Sequence, residues 1–369
     1  MTETEEKNFP RSMGVEEELL LVDPDTGLAR SVAEAVVGPS GGSGPEELSQ
    51  EFQREQVETG TRPCVRADDL AVQIRNRRQR AADRAREAGA EVAALGTSPL
   101  AVEPSLTPES RYRRMAAEFG LTAQEQLTCG CHVHVQVDSD EEGAAVLDRI
   151  RPWLPVLTAM SANSPFWQGN DSGYRSYRSL VWGRWPTAGP YDPFGSADGY
   201  RQTVHSLLAT GTILDEGMVY FDARLSRHWP TVEIRVADVC LDADDAVLLA
   251  LLVRGLVETA AREWRAGRPP APVPTSLLRL AGWRAARSGL EGQLLDPGTC
   301  RPVPAEDAVR TLLGHLAPAL DDAGDLRTAT DLTERLLARG NGARIQRSVV
   351  EGGGGLADVV AEAIKHTLV

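Results

Sequence analysis

Cysteine is scarce in this chain, and the little there is does not make a scaffold. Five cysteines (Cys64, Cys129, Cys131, Cys240 and Cys300) occur among 369 residues, an odd number at scattered spacing. With no CxxC pair, they argue against a disulfide framework or a cysteine zinc site. Cys129 and Cys131 also lie too close along one strand to bridge comfortably. Positive charge is short as well: 39 Lys and Arg stand against 53 Asp and Glu, a formal net charge of −14. That balance argues against a nucleic-acid backbone or an anionic membrane as main partner. A few local arginines and a metal would still suffice for a triphosphate. No run approaches the ~18 apolar residues of a membrane span, and the acidic, polar residues 1–12 are unlike a secretory signal. Walker-type GxxxxGK[ST], GxSxG and internal repeats are missing too. The expectation is a cytoplasmic protein with reduced thiols.

What the chain does have is three segments built to one plan. In Thr128-Cys129-Gly130-Cys131-His132-Val133-His134-Val135-Gln136-Val137 a period of two puts His132, His134 and Gln136 on one face. Cys131, Val133, Val135 and Val137 fall on the other. The imidazoles are two rises apart, about 7 Å, and face the same way. Residues 13–22 set Glu16 and Glu18 opposite Val15, Leu19 and Leu21. Glu17 then points to the apolar side, a conflict that an edge position or a bulge would relieve. Residues 230–237 set Glu233 and Arg235 opposite Val232, Ile234 and Val236. If the three share a sheet, their polar faces form a floor for metal and phosphate.

The rest reads mainly as helices around such a sheet. Residues 1–12 are expected to be a flexible tail and 13–369 one catalytic domain, since no sharp boundary shows. Asp23-Pro24-Asp25-Thr26-Gly27 should open a hairpin into a weak strand over 29–37, followed by a flexible loop at 38–45. Glu51 and Glu58 lie seven residues apart; a helix over 46–62 would align them, and a single regular strand would not. Residues 68–88 form an amphipathic helix with Leu70, Ile74 and Ala81 inward and its arginines, Arg78 among them, on a solvated face. A short strand is expected at 91–95. Helices are expected within 104–119 and at 141–160, 199–209, 242–266 (Asp242 as N-cap), 276–288, 304–320 and 325–339, with a last one at the C-terminus. Residues 167–190, rich in glycine and aromatics, read as a substrate-covering loop carrying Arg175, Arg178 and Arg184.

Carboxylates with one or two imidazoles make a hard-cation site suited to Mg²⁺ or Mn²⁺ bridging phosphate oxygens. Glu16, Glu18, Glu51, Glu58, His132 and Glu233 together could hold two or three ions. Arg235, two residues from Glu233, would touch transferring phosphate oxygens. Each piece has a plainer reading: a solvated edge for Glu16 to Glu18, a cross-strand ion pair for Glu233 and Arg235, and core packing for Cys131. A rival cupin-like centre on His132, His134 and one Glu needs a further histidine in a strand. His205, His228, His315 and His366 all sit in helix-like or turn contexts.

In order along the chain, these segments resemble one family. The segments are Gly14-Val15-Glu16-Glu17-Glu18-Leu19-Leu20-Leu21-Val22-Asp23-Pro24, Gln56-Val57-Glu58, Cys129-Gly130-Cys131-His132-Val133-His134-Val135, Asn163-Ser164-Pro165-Phe166-Trp167, Tyr174-Arg175-Ser176-Tyr177-Arg178, Arg184-Trp185-Pro186-Thr187-Ala188-Gly189-Pro190, Val232-Glu233-Ile234-Arg235-Val236-Ala237-Asp238 and Gly340-Asn341-Gly342-Ala343-Arg344. Together they look like the carboxylate–amine ligases called glutamate–cysteine ligase type 2. The resemblance implies an α+β fold of the glutamine-synthetase type, a curved, mainly antiparallel sheet flanked by helices. ATP and divalent metal, Mg²⁺ or Mn²⁺, would lie over the sheet. It implies joining of the γ-carboxylate of glutamate, or a similar acid, to the amine of cysteine, or a similar amine, through an acyl phosphate. It assigns metal ligation to Glu16, Glu18, Glu51, Glu58, His132 and Glu233, and catalysis to Arg235 and Glu58. Arg235 and Arg344 would contact nucleotide; Arg175, Arg178 and Trp182 would contact substrate. The same scaffold would also suit a phosphotransferase or a non-catalytic nucleotide-binding protein. A homodimer is the default assembly.

Overall fold

In the computed structural model, which describes residues 10–38 and 48–369, the three polar-faced segments are neighbouring strands. They are β1 (Met13–Val22), β5 (Gly130–Gln136) and β9 (Thr231–Asp238). Around them lie β2 (Ser49–Gln50), β3 (Gln56–Gly60), β4 (Glu91–Ala93) and β8 (Ala223–Leu225). The sheet runs β2-β3-β1-β5-β9-β8, with β4 also on β1, and its pairs are antiparallel. Phe166–Trp167 (β6) with Asn170–Asp171 (β7), and Gln293–Leu295 (β10) with Pro302–Pro304 (β11), are separate hairpins. This is the expected α+β class: an open antiparallel sheet backed by helices.

Alternation explains the two faces. Along β1, Met13, Val15 and Glu17 are buried while Gly14, Glu16 and Glu18 are half-buried; from Leu19 onward every residue is buried. The apolar face rests on α9 (Ala243–Arg265), whose N-cap Asp242 accepts from the Asp244 N–H as expected. Helices α5 (Asp140–Ile150), α6 (Leu154–Ser161) and α11 (Ala305–Asp322) complete that core. A second core gathers Leu19–Val22 with Ala81 and Ala85 of α2 (Ala67–Glu87) and Val360 and Ala363 of α14 (Leu356–Thr367). The remaining helices are α1 (Ala33–Val37), α3 (Ser110–Phe119), α4 (Leu121–Gln124), α7 (Tyr177–Trp182), α8 (Ala197–Ala209), α10 (Thr275–Ser288), α12 (Leu326–Arg339) and α13 (Gly342–Glu351).

The structure departs from the sequence reading at several points. The hairpin after Gly27 shrinks to one bridge, Val22 to Ala29, and α1 occupies the weak strand. No helix spans 48–62; two short strands turn back on one another instead. The expected helix at 141–160 breaks at Arg151–Trp153, where prolines 152 and 155 cannot donate. The expected tail at 1–9 and the loop at 39–45 lie outside the described residues. At Arg11 the chain is tied down, its Nε donating to Glu258 at 2.7 Å and its Nη1 to Glu142 at 2.6 Å.

Arg78 is the largest correction. It is fully buried, not solvated, and it resolves the Glu17 conflict without an edge or a bulge. Its Nε and Nη2 donate to the two Glu17 oxygens at 2.9 and 2.6 Å, and its other N–H groups reach the carbonyls of Cys240, Leu241 and Thr367. One guanidinium thus ties β1, α2, the β9–α9 junction and the end of α14 together.

Candidate active site

Register gathers the acids. Glu16 lies opposite His132 across β1 and β5, and Glu18 lies opposite Glu58 across β1 and β3. His134 lies opposite Glu233 across β5 and β9, and Glu233 opposite Arg224 across β9 and β8. Ser49 of β2 pairs with Glu58, so the turn back through β2 carries Glu51 to the same place. These side chains line one cleft of about 370 Å³ with Arg111, Tyr112, Trp182, Tyr220 and Arg235 among its walls. All six expected metal ligands, and Arg235, are in it.

Three groups of ligand atoms each fall within 4.8 Å of one another: Glu16, Glu58 and His132; Glu16, His134 and Glu233; and Glu18, Glu51 and Glu58. The Nε2 atom of His132 is buried without a hydrogen-bond partner among the described residues, and that of His134 faces only the Glu16 carboxylate, at 3.4 Å. Carboxylate oxygens with an unpartnered imidazole nitrogen suit Mg²⁺ or Mn²⁺. Residues and cation fit.

Charge is distributed unevenly over this floor. Burial pushes Glu233 upward, but Arg235 and Arg224, with both histidines, more than reverse it and hold it well below the usual carboxylate range. Arg224 Nε donates to Glu233 at 2.7 Å, and Arg235 Nη1 binds its other oxygen. Burial likewise opposes ionisation of Glu16, and hydrogen bonds to His132 and His134 hold it well below its ordinary value. The third group has no such help. Burial, then Glu18, pushes Glu51 up to about 7; burial, then Glu51, Glu16 and Glu18, raises Glu58 well above its ordinary value. Glu51 and Glu58, crowded together beside Glu18, hold protons that a metal ion would displace.

The expected nucleotide and substrate contacts divide. Trp182 lies in the cleft wall with the Arg235 guanidinium 5.5 Å from its ring centre and that of Arg178 5.7 Å. Arg178 is 2% exposed and packs against Gly130, where any Cβ would collide with its guanidinium. Arg175 and Arg344 are not brought to the carboxylates. Both pair with Glu291, and Asn341 caps α13 by accepting from the Arg344 N–H. The glycines flanking Asn341 therefore serve a helix end and a helix start rather than a phosphate cradle. Gly340, at φ 89, is the C-cap of α12. The stretch at 167–190 is not one loop but a hairpin followed by α7.

The family model for glutamate–cysteine ligase family 2 matches residues 12–362. This chain belongs to that family. A Streptomyces avermitilis protein provisionally named glutamate–cysteine ligase 2-1 is 57% identical over 97% of this chain and 99% of its own length. A Streptomyces coelicolor protein provisionally named glutamate–cysteine ligase 2 is 55% identical over the same shares. Among solved structures, the glutamate–cysteine ligase of Francisella tularensis in complex with AMP superposes with a TM-score of 0.71 at 13% identity. It covers 98% of this chain and 90% of that one. At that identity the likeness concerns the fold. The chain is an enzyme of the ligase class, and no helix among the described residues is long and apolar enough to cross a membrane.

Two parts of the ligase's site were not singled out from sequence. Arg224, half of the Glu233 clamp, is one of two charges, with Asp222, in the short stretch Tyr220–Leu225, and nothing there announces β8 as a strand. His134 was weighed for a rival metal centre, yet its Nε2 lies 3.4 Å from Glu16. The shared strand face that it has with His132 was the available signal.

Proposed function

We infer that the ligase joins a carboxylate, nominally the γ-carboxylate of glutamate, to an amine, nominally that of cysteine, with ATP as phosphoryl donor and an acyl phosphate between. The supporting observation is the convergence of Glu16, Glu18, Glu51, Glu58, His132 and Glu233 with Arg235 on one cleft. Divalent cations, when held by these ligands, would supply charge neutralisation for phosphate oxygens.

The chain's own residues set the direction of the reaction. A mainly apolar recess of about 280 Å³, walled by Gly14, Gly60, Pro63, Trp229 and Pro230, opens beside Glu16, Glu58 and His134. It suits a nucleobase, with the phosphates pointing back to the carboxylates. Arg235 at the other side neutralises Glu233 now and meets the transferring phosphoryl group during reaction. The acid oxygen attacks the γ-phosphorus as its bond to ADP breaks. The amine, having lost its ammonium proton to solvent, attacks the acyl carbon; phosphate departs with the electron pair of the broken C–O bond, and the nitrogen sheds its surplus proton to leave a neutral amide. The aromatic wall of Tyr112, Trp182, Trp185 and Tyr220 keeps water from competing with the amine. Mg²⁺-dependent ADP release across a panel of acid and amine pairs tests this reading. ATP binding by folded protein with no acid-dependent ADP would refute it.

A further inference from the structure

A second cavity of about 260 Å³ opens where β9 runs on past β8, between α6, α7 and α10. Trp182 and Arg235 line both it and the carboxylate cleft, so a molecule held there is adjacent to the reacting centre. Its walls are mostly apolar, with Pro155, Pro190, Val236, Leu278 and Trp283 prominent.

Two opposite charges face this space without being joined. Asp222 is fixed through its backbone, its N–H donating to the Gly189 carbonyl at 3.0 Å and its carbonyl accepting from the Arg235 N–H at 2.9 Å. Its carboxylate makes no hydrogen bond or ion pair among the described residues. Burial pushes it up to about 7, opposed by Arg279 alone. Arg279 projects from α10, exposed, and it too has no ion pair among the described residues. The pair is close enough to interact yet too far apart to form a salt bridge. Arg178 and Arg235 complete the charged lining, and the Tyr191 hydroxyl lies near Asp222. Arg178 acts chiefly on Asp238, and burial pushes the Tyr191 hydroxyl far up, so it stays neutral.

A lone ammonium would answer only Asp222, and a lone anion only Arg279; a zwitterion answers both. The volume is worth roughly nine water-sized groups, and apolar walls favour a side chain larger than that of cysteine. We propose that this cavity holds the amine substrate, and that it selects an α-amino acid with an apolar or aromatic side chain. The ammonium sits at Asp222, the carboxylate at Arg279 and the side chain against Leu278 and Trp283. The assignment rests on the ligase reading above, whose amine it specifies.

Calorimetry separates the two claims. With Mg²⁺ and a non-hydrolysable ATP analogue present, L-phenylalanine, L-cysteine, phenethylamine and 3-phenylpropionate are titrated into the full chain. Phenylalanine should bind about tenfold tighter than cysteine and than either singly charged analogue. Arg279→Ala, on an exposed side chain, should remove the preference for phenylalanine over phenethylamine. Asp222→Asn, nearly isosteric, should remove its preference over 3-phenylpropionate, with cooperative thermal unfolding confirming both folds. Equal binding of phenylalanine and cysteine would overturn the proposal, as would unaltered preferences in the two folded variants. Hydroxamate formation by the unsubstituted protein from ATP, glutamate and hydroxylamine reads the ligase chemistry separately. Its absence would remove that reading while the titrations still decide what the cavity holds.

Discussion

Glu16, Glu17 and Glu18 are consecutive on β1, yet the two faces of that strand treat charge in opposite ways. Beneath the sheet, Glu17 meets one fully buried guanidinium that occupies both of its oxygens. Above it, Glu18 faces Glu58 and Glu51 and, among the described residues, receives only the Gly130 N–H, at 2.6 Å. The core neutralises its buried charge within the chain; the cleft does so for Glu233 but gives Glu18, Glu51 and Glu58 no ion-pair partner among the described residues. A fold that completes an ion pair at Glu17, one residue from its site, and crowds Glu18, Glu51 and Glu58 within it has built a cleft whose ligand atoms suit a divalent cation. The comparison can be broken from either side.

The largest effect is expected beneath the sheet. Arg78→Ala strands Glu17 as a buried, unpaired carboxylate and should cost about 3–5 kcal/mol in chemical denaturation. Replacing both Glu17 and Arg78 by apolar residues of similar volume should recover much of that loss. If Arg78→Ala unfolds like the parent protein, Glu17 is not an internally compensated charge and the contrast fails. Above the sheet the sign differs: Glu58→Gln removes a repelling carboxylate and should leave the metal-free fold as stable or more so.

Turnover comes next. Glu58→Gln and Arg235→Ala should each lower acid-dependent ADP release by at least ~10²–10³, the scale for losing one preorganised charge at a reacting phosphoryl group. Cooperative unfolding should persist in both. Residual turnover near the parent value in either variant would place the chemistry elsewhere.

A smaller effect follows from the protons that the cleft holds. Glu51 rises from an ordinary 4.5 to about 7, and Glu58 is also raised. A carboxyl that binds its proton more tightly when folded favours the fold below the unfolded value. That contribution is lost as pH rises through the folded value. Metal-free stability should therefore decline between about pH 4.5 and 7, each pKa unit being worth ~1.4 kcal/mol. Asp222 and Asp245, also raised, to about 7 and 6, act in the same direction, so the decisive part is its sensitivity to metal. Saturating Mg²⁺ should abolish much of the decline, and Glu51→Gln should shrink the Mg²⁺ effect. A pH profile indifferent to Mg²⁺ would mean that the three carboxylates do not take up a cation.

The sequence showed the strand faces because period two is a local property: Glu16 and Glu18, His132 and His134, and Glu233 and Arg235 each needed only alternation. It did not show how Glu51 meets Glu58, because a helix and a tight strand return both bring residues seven apart together, and only pairing with β1 decides. Arg78 was hidden for a similar reason. Among six arginines on one helix, the one opposite Glu17 is chosen by tertiary packing, and no helical periodicity singles it out. Arg224 needed β8, a three-residue strand whose existence depends on β9 beside it.

The smallest expected effect concerns Arg344, where family pattern and geometry part. Its side chain is 59% exposed, and its partner Glu291 also binds Arg175. Exposed pairs of this kind contribute ~0.2–1 kcal/mol at most. Arg344→Ala should therefore change stability by less than ~1 kcal/mol and the KM for ATP by no more than about twofold. Arg347, on the same helix, pairs with Asp171 at 2.5 and 2.7 Å. It holds α13 against the β6–β7 hairpin rather than against nucleotide. A tenfold rise in KM for ATP in Arg344→Ala would require α13 to swing toward the cleft when nucleotide binds. In that case the unneutralised face of the sheet would be only the floor of the nucleotide site, and its arginine wall would arrive by closure from outside.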